Sequence, residues 1–273
     1  MFVSSELYHE LATKIRGHAL HMVHHANSSH IGTCFSMADL LAVLYGHVLR
    51  IDPGQPDWPA RDRFILSKGH GAAILYAALA ERGIFPLEWL DDFCDDGSWL
   101  TGHVSHEVPG IEVSTGSLGH GLPIGCGMAL AGKEEANPFR VFVMLSDGEL
   151  NEGSNWEAIL FAPQHRLDNL TVIVDYNKIQ SFGSVSDVME LHPLGDKWRA
   201  FRWSVREIDG HDYTQIEAAL TAVPFEPGRP SVIIAHTVKG KGVSYMENQL
   251  AWHYRSPNDE LLEQALTEIG AAP

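Results

Sequence analysis

At 273 residues and 45% apolar content, the chain has enough material for one large α/β domain or two small ones. A formal charge of −16, from 35 acidic against 19 basic side chains, argues against nucleic acid or an anionic membrane as partner. It still allows an anionic cofactor, which a metal and helix amino termini can hold without a basic surface.

Residues 5–27 read as a helix, followed by a polar turn at Asn27-Ser28-Ser29-His30, and Ser36 is expected to cap a second helix through about Leu49. Residues 52–59 carry three prolines and form a loop. Residues 63–67 are a short strand, Gly69-His70-Gly71 a turn, and residues 72–82 a helix with Gly83 as its C′ residue. The segment 84–120 is irregular and too long for an idle connection, which suggests a functional loop. A small-residue helix is expected over 122–133.

Two apolar runs dominate the middle of the chain. Val141-Phe142-Val143-Met144-Leu145 stops at Ser146-Asp147-Gly148, and Leu170-Thr171-Val172-Ile173-Val174 stops at Asp175-Tyr176-Asn177-Lys178-Ile179. With a helix between them at 155–165, they form a strand, crossover and strand unit. The strands of such a unit are parallel and adjacent, so Asp147 and Asn177 face one crevice at their carboxyl ends. A polar segment at 180–187, a strand at 203–208, a helix at 213–222 and a strand at 231–236 complete the pattern. No repeat or linker interrupts it, and the expected fold is α/β: one doubly wound domain over 1–273, with a mostly parallel sheet and helices on both faces.

An Asp carboxylate, an Asn amide oxygen and a nearby carbonyl are hard donors suited to Mg²⁺ or Ca²⁺. Turn chemistry accounts for the same residues, and Asp147 or Ser154 would serve equally as a helix cap. Gly119-His120-Gly121 with Gly125 half-matches a dinucleotide fingerprint, but the preceding residues 112–117 make a poor strand. His18, His21, His24 and His25 lie at helical spacings without a second ligand cluster and read as surface residues rather than a zinc site. Glu152 and Glu157, early in the crossover helix, complement its dipole.

Ser146-Asp147-Gly148 followed about thirty residues later by Asn177 resembles the thiamine diphosphate fingerprint, in which a Gly-Asp-Gly triplet precedes a distant Asn. Further segments resemble, in order, the amino-terminal half of transketolase: Ser29-His30-Ile31-Gly32, residues 61–71 around Ser67-Lys68-Gly69-His70-Gly71, Thr115-Gly116-Ser117-Leu118-Gly119-His120-Gly121, and Asp209-Gly210-His211-Asp212. Ser146 departs from the family's usual Gly, and His253 lacks the Gly that often follows it in relatives. The resemblance implies thiamine diphosphate with Mg²⁺ (or Ca²⁺ or Mn²⁺), the metal held by Asp147, Asn177 and the Ile179 carbonyl. Cofactor contacts are implied for His30, His70, Gly116, Ser117, Leu118, Gly148, Glu149 and His253, catalytic roles for His30, His103 and His253, and an interface for Glu152 and Glu157.

The same resemblance implies ketol transfer from a ketose, a sugar or sugar phosphate, to an aldose. The pyrimidine-binding and carboxyl-terminal domains are expected on a partner chain, in an α₂β₂ heterotetramer. A 2-oxo acid dehydrogenase component, a deoxyxylulose phosphate synthase-like enzyme and a noncatalytic assembly subunit remain as alternatives. Cys34, Cys94 and Cys126 show no Cys-x-x-Cys spacing. Met1 to Glu10 lacks signal-peptide character, and no eighteen-residue uninterrupted apolar run occurs beyond it. A soluble, cytoplasmic protein is expected.

Overall fold

A computed structural model describes residues 5–135 and 138–271; residues 1–4, 136–137 and 272–273 of the expected domain lie outside the described residues. The chain begins with α1 (Ser5–His25) and α2 (Ile31–Val43), the latter continued by a π turn at Leu44–Val48. Then come β1 (Arg63–Leu66), α3 (Ala72–Glu81), α4 (Gly121–Glu134), β2 (Val141–Ser146), α5 (Gly153–Gln164) and β3 (Leu170–Tyr176). A hairpin of β4 (Ile179–Gln180) and β5 (Gly183–Ser184) leads into α6 (Val185–Val188) and α7 (Leu194–Ala200). The remainder is β6 (Ser204–Asp209), α8 (Tyr213–Thr221), β7 (Ser231–His236) and α9 (Asp259–Glu268).

Five strands form one parallel sheet in the order β1-β2-β3-β7-β6. Alternation along the strands sends Phe142, Met144, Ile173 and Ile233 into a core with α1, α2, α3 and α8. Val141, Val143, Val172, Val174 and Val232 enter a second core with Leu122, Ile159 and Trp198 of α4, α5 and α7. Helices therefore cover both faces, as expected of a doubly wound sheet. The central strands are buried on both sides, which is why β2 and β3 are continuous apolar runs rather than alternating ones. Each such side chain, fully buried, contributes about 1.5–3 kcal/mol of transfer free energy.

Several boundaries differ from expectation. α1 ends at His25 because Asn27 takes a left-handed conformation, φ 44°. Ser36 does not cap α2: it lies inside it, donating to Thr33 O and to the Asp175 carboxylate, so a distant acceptor claims the hydroxyl that capping would have used. The helix begins instead after His30, itself left-handed at φ 77°. The apolar stretch Ile31–Val48 is long and apolar enough to cross a bilayer, yet 89% of it is buried inside the fold. α7, α9 and the β4–β5 hairpin fall where no element was expected, although α9 carried a legible signal in Asn258, whose side chain accepts from Leu261 N.

Candidate active site

The carboxyl ends of β1, β2, β3 and β7 open onto one cavity of about 420 Å³. Asp147 follows β2, Asn177 follows β3, and both are buried on its wall. Asp147 accepts from Gly148 N at 2.7 Å and Lys178 N at 2.6 Å, while Asn177 Oδ1 accepts from Ile179 N at 3.1 Å. These bonds fold the 177–179 turn so that a carboxylate, an amide oxygen and the Ile179 carbonyl face the same space. Lys239, just beyond β7, donates to Ile179 O at 3.1 Å. Burial, with Asp175 nearby, raises the Asp147 pKa to about 6, and burial lowers that of Lys239 to about 8. A buried carboxylate held up in this way gains from a cation brought beside it.

The opposite part of the cavity is built from histidines. The His30 ring packs tilted against His70 and edge-on against His103 and His253, with ring centroids 5.0, 5.9 and 5.1 Å away. His30 N donates to His253 O at 3.1 Å, and His253 Nδ1 lies 2.9 Å from Lys239 Nζ, which makes that nitrogen the acceptor. His103 is carried by the irregular segment, its carbonyl accepting from Tyr76 and Thr101. Gly116, at φ 146°, lets that ring approach: a Cβ there would stand 2.8 Å from His103 Cδ2.

Beneath the cavity floor lies a closed polar hub. Asp175 pairs with Lys68, both side chains fully buried, and also accepts from Ser36 and Thr237. Lys68 Nζ donates in addition to Thr33 Oγ1 at 2.9 Å. The hub joins the ends of β1, β3 and β7 to α2, so it fixes the strand ends that carry the cavity residues.

Of the expected site residues, His30, His70, His103, Gly116, Leu118, Asp147, Gly148, Asn177, Ile179 and His253 line the cavity, and Glu152, expected at an interface, also borders it. Ser117 and Glu149 do not. Ser117 is exposed, and the fully buried Glu149 carboxylate accepts from Ser67 Oγ at 2.5 Å and Gly119 N at 2.9 Å, bracing the glycine turn from behind. Glu157 lies on the exposed side of α5. Thr33 and Lys239 line the cavity and were missed. For Lys239 a signal existed, since it follows the carboxyl end of a legible strand just as Asp147 and Asn177 do. Of the histidines on α1, His18 pairs with Glu81 at 2.8 Å and His25 with Asp95 at 3.3 Å, and no cluster of three metal-binding side chains occurs among the described residues.

Burial, and then neighbouring positive charge, lower His30 to about 4, His253 to about 3 and His70 well below 6.5. A histidine so depressed binds fewer protons folded than unfolded, so stability is lost as pH falls below about 6.5 until the folded rings titrate. Asp147, raised to about 6, works in the opposite sense between there and 3.8. The His30→Gln/His253→Gln variant should therefore show a flatter acid branch. Urea unfolding at pH 7 and pH 5 is expected to reveal a difference of about 2 kcal/mol, allowing for the partial exposure of both rings. An unchanged branch would assign the acid lability elsewhere.

A family model described as the thiamine diphosphate binding domain of transketolase matches residues 8–273. A 6-deoxy-6-sulfo-D-fructose transketolase subunit of Clostridium sp. (strain MSTE9) is 42% identical over 97% of this chain and 96% of its own length. One of the subunits of an apulose-4-phosphate transketolase from Phocaeicola vulgatus is 41% identical over 94% and 91%. The crystal structure of transketolase from Campylobacter jejuni superposes with a TM-score of 0.92 at 32% identity, over 98% of this chain but 43% of that one. The chain thus spans about the full length of the first two relatives and less than half of the third. By family model, relatives and fold together, the chain belongs to the transketolase family, as its thiamine diphosphate binding domain.

Proposed function

We propose that the chain is the amino-terminal subunit of a two-component transketolase, moving a two-carbon ketol unit from a ketose to an aldose. The observation that carries this reading is the two-ended cavity, with oxygen donors at one end, a cluster of histidines at the other and the Lys239 ammonium reaching both. Asp147, Asn177 and the Ile179 carbonyl would hold Mg²⁺, or Ca²⁺ or Mn²⁺, with the diphosphate, and Lys239 would offset the remaining negative charge. Hard oxygen donors and a net-anionic wall suit that ion rather than a softer metal. Bound thiamine diphosphate supplies the electron sink that ketol cleavage and transfer need. His30 and His253, held neutral by burial, would together with His103 orient sugar hydroxyls and exchange their protons.

A partner chain bearing the pyrimidine-binding domain would complete the cleft. Supporting this, Phe182 is 84% exposed on the cavity rim beside Val188, and α4 and α5 leave Ile124, Leu160 and Phe161 exposed. Glu157 lies on the same helix as Leu160 and Phe161, where an α₂β₂ assembly would cover it. Relatives named as subunits acting on a sulfosugar and on a sugar phosphate support a sugar or sugar phosphate as substrate. Three free cysteines, Cys94 exposed, accord with a cytoplasmic location.

The test is reconstitution with a carboxyl-terminal transketolase chain, thiamine diphosphate and Mg²⁺, assayed with a panel of ketose donors. Ketol transfer by the pair and at least about a thousandfold less by the chain alone is the expected result, because the groups proposed for the partner act in the reaction rather than only in binding. Full activity of the chain alone would overturn the two-component reading. Decarboxylation of 2-oxo acids in place of ketol transfer would overturn the reaction assigned.

A further inference from the structure

The Asp209-Gly210-His211-Asp212 segment at the end of β6 is not part of the cavity, yet its histidine is tied to it. Asp212 caps α8 by accepting from Thr214 N and Gln215 N. His211 instead turns inward, between α2 and the chain leaving β7. Its Nδ1 lies 2.7 Å from Asp39 Oδ2, and its Nε2 lies 2.9 Å from Val238 N. Gly210 permits this approach: a Cβ there would stand 2.4 Å from Thr237 Cγ2.

The partners dictate the protonation state of the ring. Asp39 is buried and also holds Arg16 through both oxygens, at 2.9 and 2.8 Å, and Tyr213 at 2.7 Å. With Arg16 against it, its carboxyl is held well below the usual carboxylate range despite burial. A carboxylate only accepts, so His211 Nδ1 carries the proton. A backbone amide only donates, so Nε2 must be bare. His211 is a neutral imidazole of one tautomer, with both nitrogens engaged.

Val238 sits between two residues of the site. Thr237 before it donates to Asp175 in the buried hub, and Lys239 after it reaches Ile179 O and His253. The β7 ladder ends at His236, and His211 is the partner of the Val238 amide among the described residues. Without an acceptor there, a half-buried donor would be left unmatched and the 237–239 turn would have reason to rotate.

We infer that His211 is a positioning residue, which as the Asp39-held tautomer accepts the Val238 amide and so sets the turn that aims Lys239 into the cavity. The inference rests on the reading of Lys239 as a group that holds the cofactor's diphosphate. It separates from a merely structural tie between β6 and α2, because such a tie would depend on Asp39 and not on Val238.

Two substitutions divide those roles. In His211→Gln the side-chain carbonyl reaches the position of Nε2 and can accept the Val238 amide. In His211→Asn the shorter amide can still donate to Asp39 but leaves Val238 unpaired. Each variant, reconstituted with the partner subunit, is titrated with thiamine diphosphate and Mg²⁺ by fluorescence, and amide exchange of residues 236–241 is followed by mass spectrometry. His211→Gln should bind within about threefold of wild type, and His211→Asn roughly tenfold or more weakly, in keeping with residues that orient a ligand-holding group. Exchange should accelerate in His211→Asn alone, and turnover at saturating cofactor should change little in either.

Equal losses in both variants, or wild-type binding by His211→Asn, would overturn the inference. Asp39→Asn provides a second handle: an amide donating to Nδ1 would place the proton on Nε2, and faster exchange at 236–241 is expected. Unchanged exchange there would also overturn it. Lys239→Ala tests the underlying reading separately. Wild-type cofactor affinity in that variant would remove the role of Lys239, while the exchange measurements would still judge how His211 sets the turn.

Discussion

Asp147→Ala is expected to weaken thiamine diphosphate binding at least about 100-fold in the reconstituted enzyme and to remove its dependence on Mg²⁺. Asp147 is the one carboxylate among the three donors proposed for the ion, so its loss leaves two neutral oxygens facing a dication and a diphosphate. The substitution also strips the acceptor from Gly148 N and Lys178 N, and with it the bonds that shape the 177–179 turn. Asp147→Asn preserves the side-chain shape and should fall between, separating charge from turn geometry. His103→Ala is the contrast, since that ring stands at the other end on an exposed segment. It should bind cofactor within about threefold of wild type while turnover falls roughly 10²–10⁴-fold, the range for a lost acid–base group. Fluorescence titration and a ketol-transfer assay read the two quantities, and equal loss of binding in both variants would defeat the assignment of roles.

Asp175→Ala should destabilise the fold by about 3–5 kcal/mol, the cost of leaving a buried charge without its partner. Lys68 and Asp175 are both fully buried, and the side chains of Ser36 and Thr237 also converge on that carboxylate. Removing it leaves the Lys68 amine buried without its carboxylate and releases the ends of β1, β3 and β7 from one another. Denaturant unfolding of the single variant and of Lys68→Met/Asp175→Ala tests this. Recovery of a large part of the loss in the double variant is expected, because the unpaired Lys68 is then gone. A single-variant loss under about 1 kcal/mol would show that the hub does not hold the site together.

The interior of the sheet is legible in the sequence because burial on both faces forces apolar runs, and the turns ending them expose polar residues at strand ends. That logic locates Asp147 and Asn177, and applied to the strand at 231–236 it also points to Lys239. Ser36 misleads as a cap because a hydroxyl near a helix start carries the same local signature whether it bonds the backbone or a distant carboxylate. For Glu149 the sequence does not reveal where the side chain goes: its neighbours in sequence face the cavity, whereas its own carboxylate is drawn behind the glycine turn by Ser67 and Gly119.

Local periodicity and turn chemistry, each acting over a few residues, suffice to specify the succession of strands and helices, the doubly wound architecture and the residues at the strand ends. Which side chains meet is settled in three dimensions: the four histidines drawn from separate segments, Lys68 beneath Asp175, and His211 bridging Asp39 to Val238. Those pairings join residues 27 to 223 positions apart, and no pattern along the chain encodes them. They arise because a parallel sheet gathers the carboxyl ends of its strands at one edge, where burial leaves each polar group to find its partner or remain unsatisfied.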